Sequence, residues 1–297
     1  MISYPDATLT ELEQRITALK PDWMARAADA TTALTAAGLF TPPKPPSGAP
    51  KAKAPPSLWS DIKIVYMEMQ QFKCIFCERA LAKKEGAIEH DVEHYRPKNA
   101  VAAWRSPKGL PSIAHQLGPA AMSGYYWLAY DIANYAAACK LCNSTRKRSY
   151  FPINGARGQA TESVDQLNAG EQPLIIFPLR EDPTALITFD GVLALPAQSH
   201  GIGYLRAVVT IALFNLNGRE ELIDDRFRAI RSVYSAYELM RNGSTQAKRD
   251  DGAVQLSELI SPTSPQSACA KAYLTVLTQD PGRGWDVYQE ARVYKAA

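Results

Sequence analysis

The chain has 297 residues, of which 46% are apolar and 21% charged, an ordinary balance for a globular protein able to bury a sizeable core. No run of about 18 apolar residues occurs, which excludes a transmembrane helix. A formal net charge of +3 is too small to imply a polyanion partner for the chain as a whole, so any basic site must be local.

The opening residues, MISYPDATLTELEQR, carry acids early and no apolar core stretch. No secretory signal is expected there, and the expected location is cytoplasmic. Thr8-Leu9-Thr10-Glu11 opens like a capping box, and Leu9, Leu12, Ile16 and Leu19 follow at helical spacing. One or two helices are expected over 8–38, ending near Gly38. The next stretch, TPPKPPSGAPKAKAPPS, has seven prolines and no large apolar residue, so it reads as a stiff, extended linker.

Trp59, Ile62, Val65, Tyr66 and Met69 then mark an amphipathic helix leading into KCIFCERAL. Residues 87–94 place Ile88, His90, Val92 and His94 on one side and Glu89, Asp91 and Glu93 on the other, the period of a strand. Residues 104–123 read as a loop, and the Tyr125-Tyr126-Trp127 run as core packing in preference to a base-stacking platform. Further on, Leu174–Phe177 (LIIF) reads as a buried strand, and Asp190-Gly191 signals a hairpin. From about 203 the pattern is helical: Ile223, Phe227, Ile230, Tyr234 and Tyr237 repeat at helical spacing with Arg226, Arg228 and Arg231 between them. A last helix is expected near 266–279, after the Ser/Pro break at 261–265.

Four of the five cysteines form two C-x-x-C pairs, Cys74/Cys77 and Cys139/Cys142, separated by 61 residues. Two such pairs point to a closed, tetrahedral four-thiolate site for a structural Zn2+. It would pin a helix-end knuckle at 74–77 against a helix carrying Cys139 and Cys142. A thioredoxin-like redox motif would need one pair in a βαβ setting. Cys269 is left over and is expected to be a small buried side chain.

Two of the four histidines lie in GAIEHDVEHYRPK, where His90 to His94 reads literally as H-x-x-E-H, the signature of inverted zinc peptidases. That reading needs a helix, whereas this segment alternates like a strand and meets Pro97. It also leaves the cysteine pairs unexplained. Hydrolysis of a phosphodiester needs a base for water, a divalent ion and cations for the backbone. Imidazole suits the first, and carboxylate and amide oxygens suit Mg2+ or Mn2+. Glu93-His94, Asn134, Asn143 and the run Arg146-Lys147-Arg148 supply such groups.

These residues resemble the HNH endonucleases of the ββα-metal type, in the form stapled by four cysteines. The resemblance implies that His94 is the general base, that Glu93 and Asn143 hold the catalytic Mg2+ or Mn2+, and that Asn134 clamps a loop beside His94. It implies phosphate contacts from Arg146, Lys147 and Arg148, with DNA as substrate. Glu93 stands where many members have Asp, and Asn143 replaces a second His. Blander alternatives are a structural strand histidine for His94 and turn roles for Asn134 and Asn143; His90 reads as a supporting strand residue.

CIFCE, VEHYRPK, GYYWLAYDIANYAAACKLCN and FPI, with later segments to about residue 240, resemble the anti-phage nucleases of Septu and retron systems. That likeness implies an ATPase partner and no membrane. The expected architecture is α+β and mostly helical. An HNH module at 59–155 would follow a helical segment at 1–40 and a linker at 41–58, with a mainly helical domain bearing a small hairpin at 156–297. The competing functions are an autonomous restriction-type nuclease and a non-catalytic, zinc-dependent nucleic-acid-binding module.

Overall fold

The computed structural model describes residues 1–43, 47, 53–83, 89–106, 117–160 and 162–296. Most of the expected linker core, Ile88, and the centre of the expected loop at 104–123 lie outside the described residues. Among those described, the chain is mostly helical with two small two-stranded sheets. It divides into two compact units. One comprises Pro5–Phe72 and Ala82–Ile175, the other Met1–Tyr4, Lys73–Leu81 and Ile176–Ala297.

The first unit opens with helix α1 (Leu9–Leu19) and helix α2 (Trp23–Ala37). Only half of the expected capping box is built. Thr8 Oγ1 accepts from the Glu11 amide at 3.1 Å, while the Glu11 carboxylate is taken by Arg15 at 2.6 Å. The buried stripe of α1 is narrower than the spacing suggests. Leu12 and Ile16 are fully buried, whereas Leu9 and Leu19 remain 46% and 42% exposed. Helix α2 ends at Gly38, whose φ of 70° supplies the left-handed cap. Trp23 is buried and donates its indole N–H to the Leu58 carbonyl at 2.8 Å.

The helix expected from Trp59 begins as a 3-10 turn (Leu58–Ile62) and continues as α3 (Lys63–Met69). Gln71 and Phe72 then adopt left-handed backbone, φ 54° and 53°, and end the helical run. Strand β1 (His90–His94) pairs antiparallel with β2 (Tyr135–Cys139), in the register His90 to Cys139 and His94 to Tyr135. The outer edge of β2 is covered by a side chain. Gln70, fully buried, accepts from the Ala137 N–H at 2.7 Å and donates to the Ala137 carbonyl at 2.8 Å. Its amide does the work of a neighbouring strand, so that edge keeps no orphan backbone groups at Ala137.

A π-helical turn (Leu141–Lys147) follows β2, and helix α4 (Val164–Glu171) is closed by a complete capping box between Ser163 and Gln166. Leu174–Phe177 is buried as expected but is no strand. Its amides are satisfied elsewhere: Leu174 donates to the Pro152 carbonyl, Ile176 to Thr210 Oγ1 and Phe177 to Glu181 Oε1. Those partners include side chains spaced irregularly along other elements, which do not build a ladder.

The second unit contains the hairpin of β3 (Ile187–Asp190) and β4 (Leu193–Pro196). Its two-residue turn is Gly191-Val192, one place later than expected, with Gly191 at φ 52°. Only the first turn residue is left-handed, as a type II′ hairpin requires. Helices α5 (Gly201–Leu213), α6 (Glu220–Asn242), α7 (Gln246–Leu259), α8 (Ser267–Gln279) and α9 (Pro281–Ala296) complete it. Ile223, Phe227, Ile230 and Tyr237 of α6 are core residues, joined there by Tyr273, Leu277, Val287 and Ala291. Arg226, one of the arginines between those apolar positions, is itself buried. Its guanidinium donates to the carbonyls of Val192 and Leu216, both at 2.8 Å, and so fastens the hairpin.

Candidate functional site

His94 ends β1 and is 7% exposed. Its ring meets Trp59 edge-on at 4.8 Å and Tyr135, its cross-strand partner, at 5.0 Å. Nε2 lies 3.2 Å from the Ala129 carbonyl oxygen, and Nδ1 lies 3.4 Å from Lys98 Nζ. A carbonyl can only accept, so Nε2 carries the proton and the lone pair sits on Nδ1. Burial holds the imidazole well below its usual pKa range, and the Lys98 ammonium pushes the same way. The side chain is therefore a neutral base at neutral pH, with a defined tautomer.

Asn134 closes the 3-10 turn that leads into β2 and is buried. Oδ1 accepts from the Arg96 N–H at 2.7 Å, while Nδ2 donates to the carbonyls of Arg96 and Leu128 at 3.0 and 3.1 Å. Its own carbonyl accepts from the Tyr95 N–H at 2.8 Å. The chain leaving His94 is thus held at two successive residues by one asparagine.

Glu93 is buried and pairs with Lys147, Oε1 to Nζ at 2.5 Å. Lys147 also donates to the His94 carbonyl at 2.9 Å and is 0% exposed. Burial raises the Glu93 carboxyl pKa, and the Lys147 ammonium opposes that shift. Of the basic run, Arg148 is exposed, Arg146 half-buried and Lys147 enclosed. Asn143 is half-buried on the π-helical turn, and its carbonyl accepts from the Arg148 N–H at 2.7 Å. The structure thus brings Glu93, His94 and Lys147 together and sets Asn134 on the adjoining chain. It turns Arg148 towards solvent.

Two features beside His94 carry no motif. Lys98 stacks its ammonium over Trp59 at 4.4 Å and over Phe40 at 5.4 Å, and burial lowers its pKa to about 8. Its position four residues after His94 is the signal that could have singled it out. Arg96 is buried, donating to Glu171 and to Asn168 at 2.9 Å each, with the rings of Tyr95, Tyr125 and Phe151 around it. Tyr125 also bonds Glu171 at 2.5 Å, so it packs and braces the core. Glu171 lies too far along the chain for any local pattern to announce it. His90 is fully buried and bonds the Ala82 carbonyl through Nε2 at 2.9 Å.

The thiols of Cys74, Cys77, Cys139 and Cys142 lie within 4.8 Å of one another, and none is in a disulfide. A tetrahedral zinc with bonds of about 2.3 Å separates its sulfurs by about 3.8 Å, so the four thiols could bind zinc with little movement. The knuckles differ from the expected helical settings. Cys74–Cys77 forms a tight turn flanked by the Lys73–Ala80 bridge, because α3 has already ended at Met69. Within it the Glu78 N–H donates to the Cys74 carbonyl and the Cys74 N–H to the Arg79 carbonyl. Cys139 is the last residue of β2, and only Cys142 lies on the helical turn.

The chain is similar to a Septu protein. That relative is Septu protein PtuB of Bacillus mycoides (strain KBAB4), 25% identical over 172 residues. The match takes in 58% of this chain and 52% of the relative, so the chain spans about half the length of the curated relative it matches. No family model matches the chain, and no solved structure matches it. Among the described residues no helix is long and apolar enough to cross a membrane.

Proposed function

We propose that the chain is a metal-dependent endonuclease of the HNH type, hydrolysing phosphodiester bonds of DNA as the effector of a bacterial anti-phage system. The observation that carries this reading is His94: a neutral imidazole at a strand end, its Nε2–H spent on the Ala129 carbonyl and its Nδ1 lone pair turned to the side of Lys98. The order of elements supports it, since the antiparallel strands β1 and β2 are followed by the helical turn Leu141–Lys147, the order a ββα module would have. Similarity to a Septu protein supports the defence role and partnership with other defence components, for which an ATPase is the partner that the sequence resemblance implies.

In the reaction Nδ1 of His94 takes a proton from water as the water oxygen attacks phosphorus, the bond from phosphorus to the leaving sugar oxygen breaks, and that oxygen takes its proton from a solvent water. Asn134 fixes the chain beyond His94, which keeps the ring in one place while it takes the proton. Trp59 and Tyr135 exclude bulk water from two sides of the imidazole. Arg146 and Arg148 would hold flanking phosphates. Lys147, enclosed against Glu93, is better suited to orienting that carboxylate than to touching DNA. Glu93 and Asn143 offer a carboxylate and an amide oxygen, a donor set fitting Mg2+ or Mn2+, which when bound supplies positive charge to the phosphate and leaving oxygen. Zn2+ at the four cysteines would be structural, a closed thiolate shell with no position for water.

Cleavage of plasmid DNA with Mg2+ or Mn2+, comparing wild type with His94→Ala, tests the proposal. Loss of cleavage by a variant that still folds is expected; equal behaviour of the two would leave a non-catalytic binding module. Cleavage by the purified chain alone would favour the restriction-type alternative, whereas co-elution with an ATPase encoded beside it would favour the defence complex.

A further inference from the structure

Beside the candidate base sits a cation that makes no ion pair among the described residues. The Lys98 ammonium has three contacts: a long hydrogen bond to His94 Nδ1 at 3.4 Å, and the faces of Trp59 and Phe40 at 4.4 and 5.4 Å. The other nearby lysine, Lys147, is committed to Glu93 and to the His94 carbonyl. Resting on the nuclease reading, we propose that Lys98 is a phosphate-binding residue of the active site that caps the Nδ1 lone pair of His94 until a phosphate draws it away.

Three observations bear on this. The tautomer places the only proton-accepting nitrogen of His94 where Lys98 Nζ now stands, so a water cannot be activated there until the ammonium shifts. The hydrogen bond and ring contacts of Lys98 are soft, and the Glu93 carboxylate, itself paired with Lys147, attracts it without forming an ion pair with it. A donor distance of 3.4 Å is long for a hydrogen bond, and the faces of half-buried Trp59 and buried Phe40 hold a cation by about 0.5–2 kcal/mol. A phosphate oxygen offers a shorter, charge-assisted bond roughly twice as strong as a neutral one. Lys98 is also half-buried and lies four residues after His94 in the chain. One displacement then does two things: it fixes the phosphate and frees the base, so the nucleophile is activated only when substrate is present.

The test compares wild type, Lys98→Met and Lys98→Arg, with Lys98→Gln as a second neutral variant in case the methionine variant does not fold. A duplex oligonucleotide is titrated without divalent metal over a range of salt. Loss of one phosphate contact should weaken binding about tenfold and reduce the slope of log K against log salt by about 0.9. Lys98→Arg should restore the slope. In Mn2+ cleavage assays the neutral variants should raise KM more than they lower kcat. An unchanged slope and affinity in a folded neutral variant overturns the inference. Should wild type cleave while the slope stays unchanged, only the role of Lys98 falls. Should the slope drop while wild type fails to cleave, Lys98 stands as a phosphate contact and the nuclease reading falls. Absence of any binding overturns both.

Discussion

Asn134 grips Arg96 by both backbone groups: Oδ1 accepts from its N–H at 2.7 Å and Nδ2 donates to its carbonyl at 3.0 Å. The pairing imitates one rung of a β-ladder, made by a side chain at the point where the second strand begins. Together with the Tyr95 N–H on the Asn134 carbonyl, it fixes where the chain goes after β1. Replacing Asn134 by Ala would strand two buried backbone groups, each costing on the order of 1–3 kcal/mol. Asn134→Asp keeps the acceptor but removes both donations and sets a carboxylate against the carbonyls of Arg96 and Leu128. Urea denaturation should therefore show both variants destabilised by about 2 kcal/mol or more, with Asp at least as damaging as Ala. Equal stability of Asn134→Asp and wild type would show that the donations matter little.

Glu93 and Lys147 form an ion pair that is enclosed on both sides. Removing one partner of such a pair leaves an uncompensated buried charge, typically a loss of about 3–5 kcal/mol. Lys147→Met should lose close to that amount. Glu93→Gln with Lys147→Met should lose far less than the sum of the single changes, since neither charge is then left alone. A double-mutant cycle by chemical denaturation reads the coupling directly; additive losses would mean that the two side chains do not depend on each other.

What could be read from sequence follows the range of the interaction. The cysteine cluster was legible because a metal shell is specified by ligand type and short spacing, and Cys74, Cys77, Cys139 and Cys142 converge in space. Strand β1 was legible from its period of two, and the helices of the second unit from the repeat at Ile223, Phe227 and Ile230. Leu174–Phe177 was misread because an apolar run reports burial, not hydrogen bonding: its amides bond the side chain of Thr210, 34 residues on, and that of Glu181, only four residues on, and neither builds a ladder. The burial of Lys147 went unread for a related reason: Arg146-Lys147-Arg148 shows only as a basic run, and the carboxylate that encloses Lys147 belongs to a distant strand. Lys98 went unread because its contacts with Trp59 and Phe40 depend wholly on tertiary packing.

The four thiols should carry one zinc per chain, measurable by elemental analysis of the purified protein. Structural zinc is folding energy, so prolonged chelation should lower the melting temperature and release one equivalent of metal. Cys142→Ser, at a fully buried ligand, should lose zinc and fold poorly, whereas His94→Ala should keep its zinc and its melting temperature within a few degrees. Protein that holds no zinc yet melts as a chelated sample does would remove the metal from the account.

Cys269 is set apart from the other four. It is 0% exposed at the start of α8, and its thiol points at the Gly191 carbonyl, 3.4 Å away, in the turn of the hairpin. Burial pushes its pKa up to about 12, with the nearby Arg226 guanidinium opposing. The folded state thus holds this proton more tightly than the unfolded chain does. The stability the group contributes is fully present below the pKa of an exposed thiol, near 9, and is lost as pH rises towards 12. At pH 8 only thiolate reacts, so iodoacetamide should leave the Cys269 peptide unmodified in folded protein and label it readily in urea. Alkylation of the folded protein at the unfolded rate would mean that the thiol is open to solvent; protection that fades between pH 9 and 12 is the expected result.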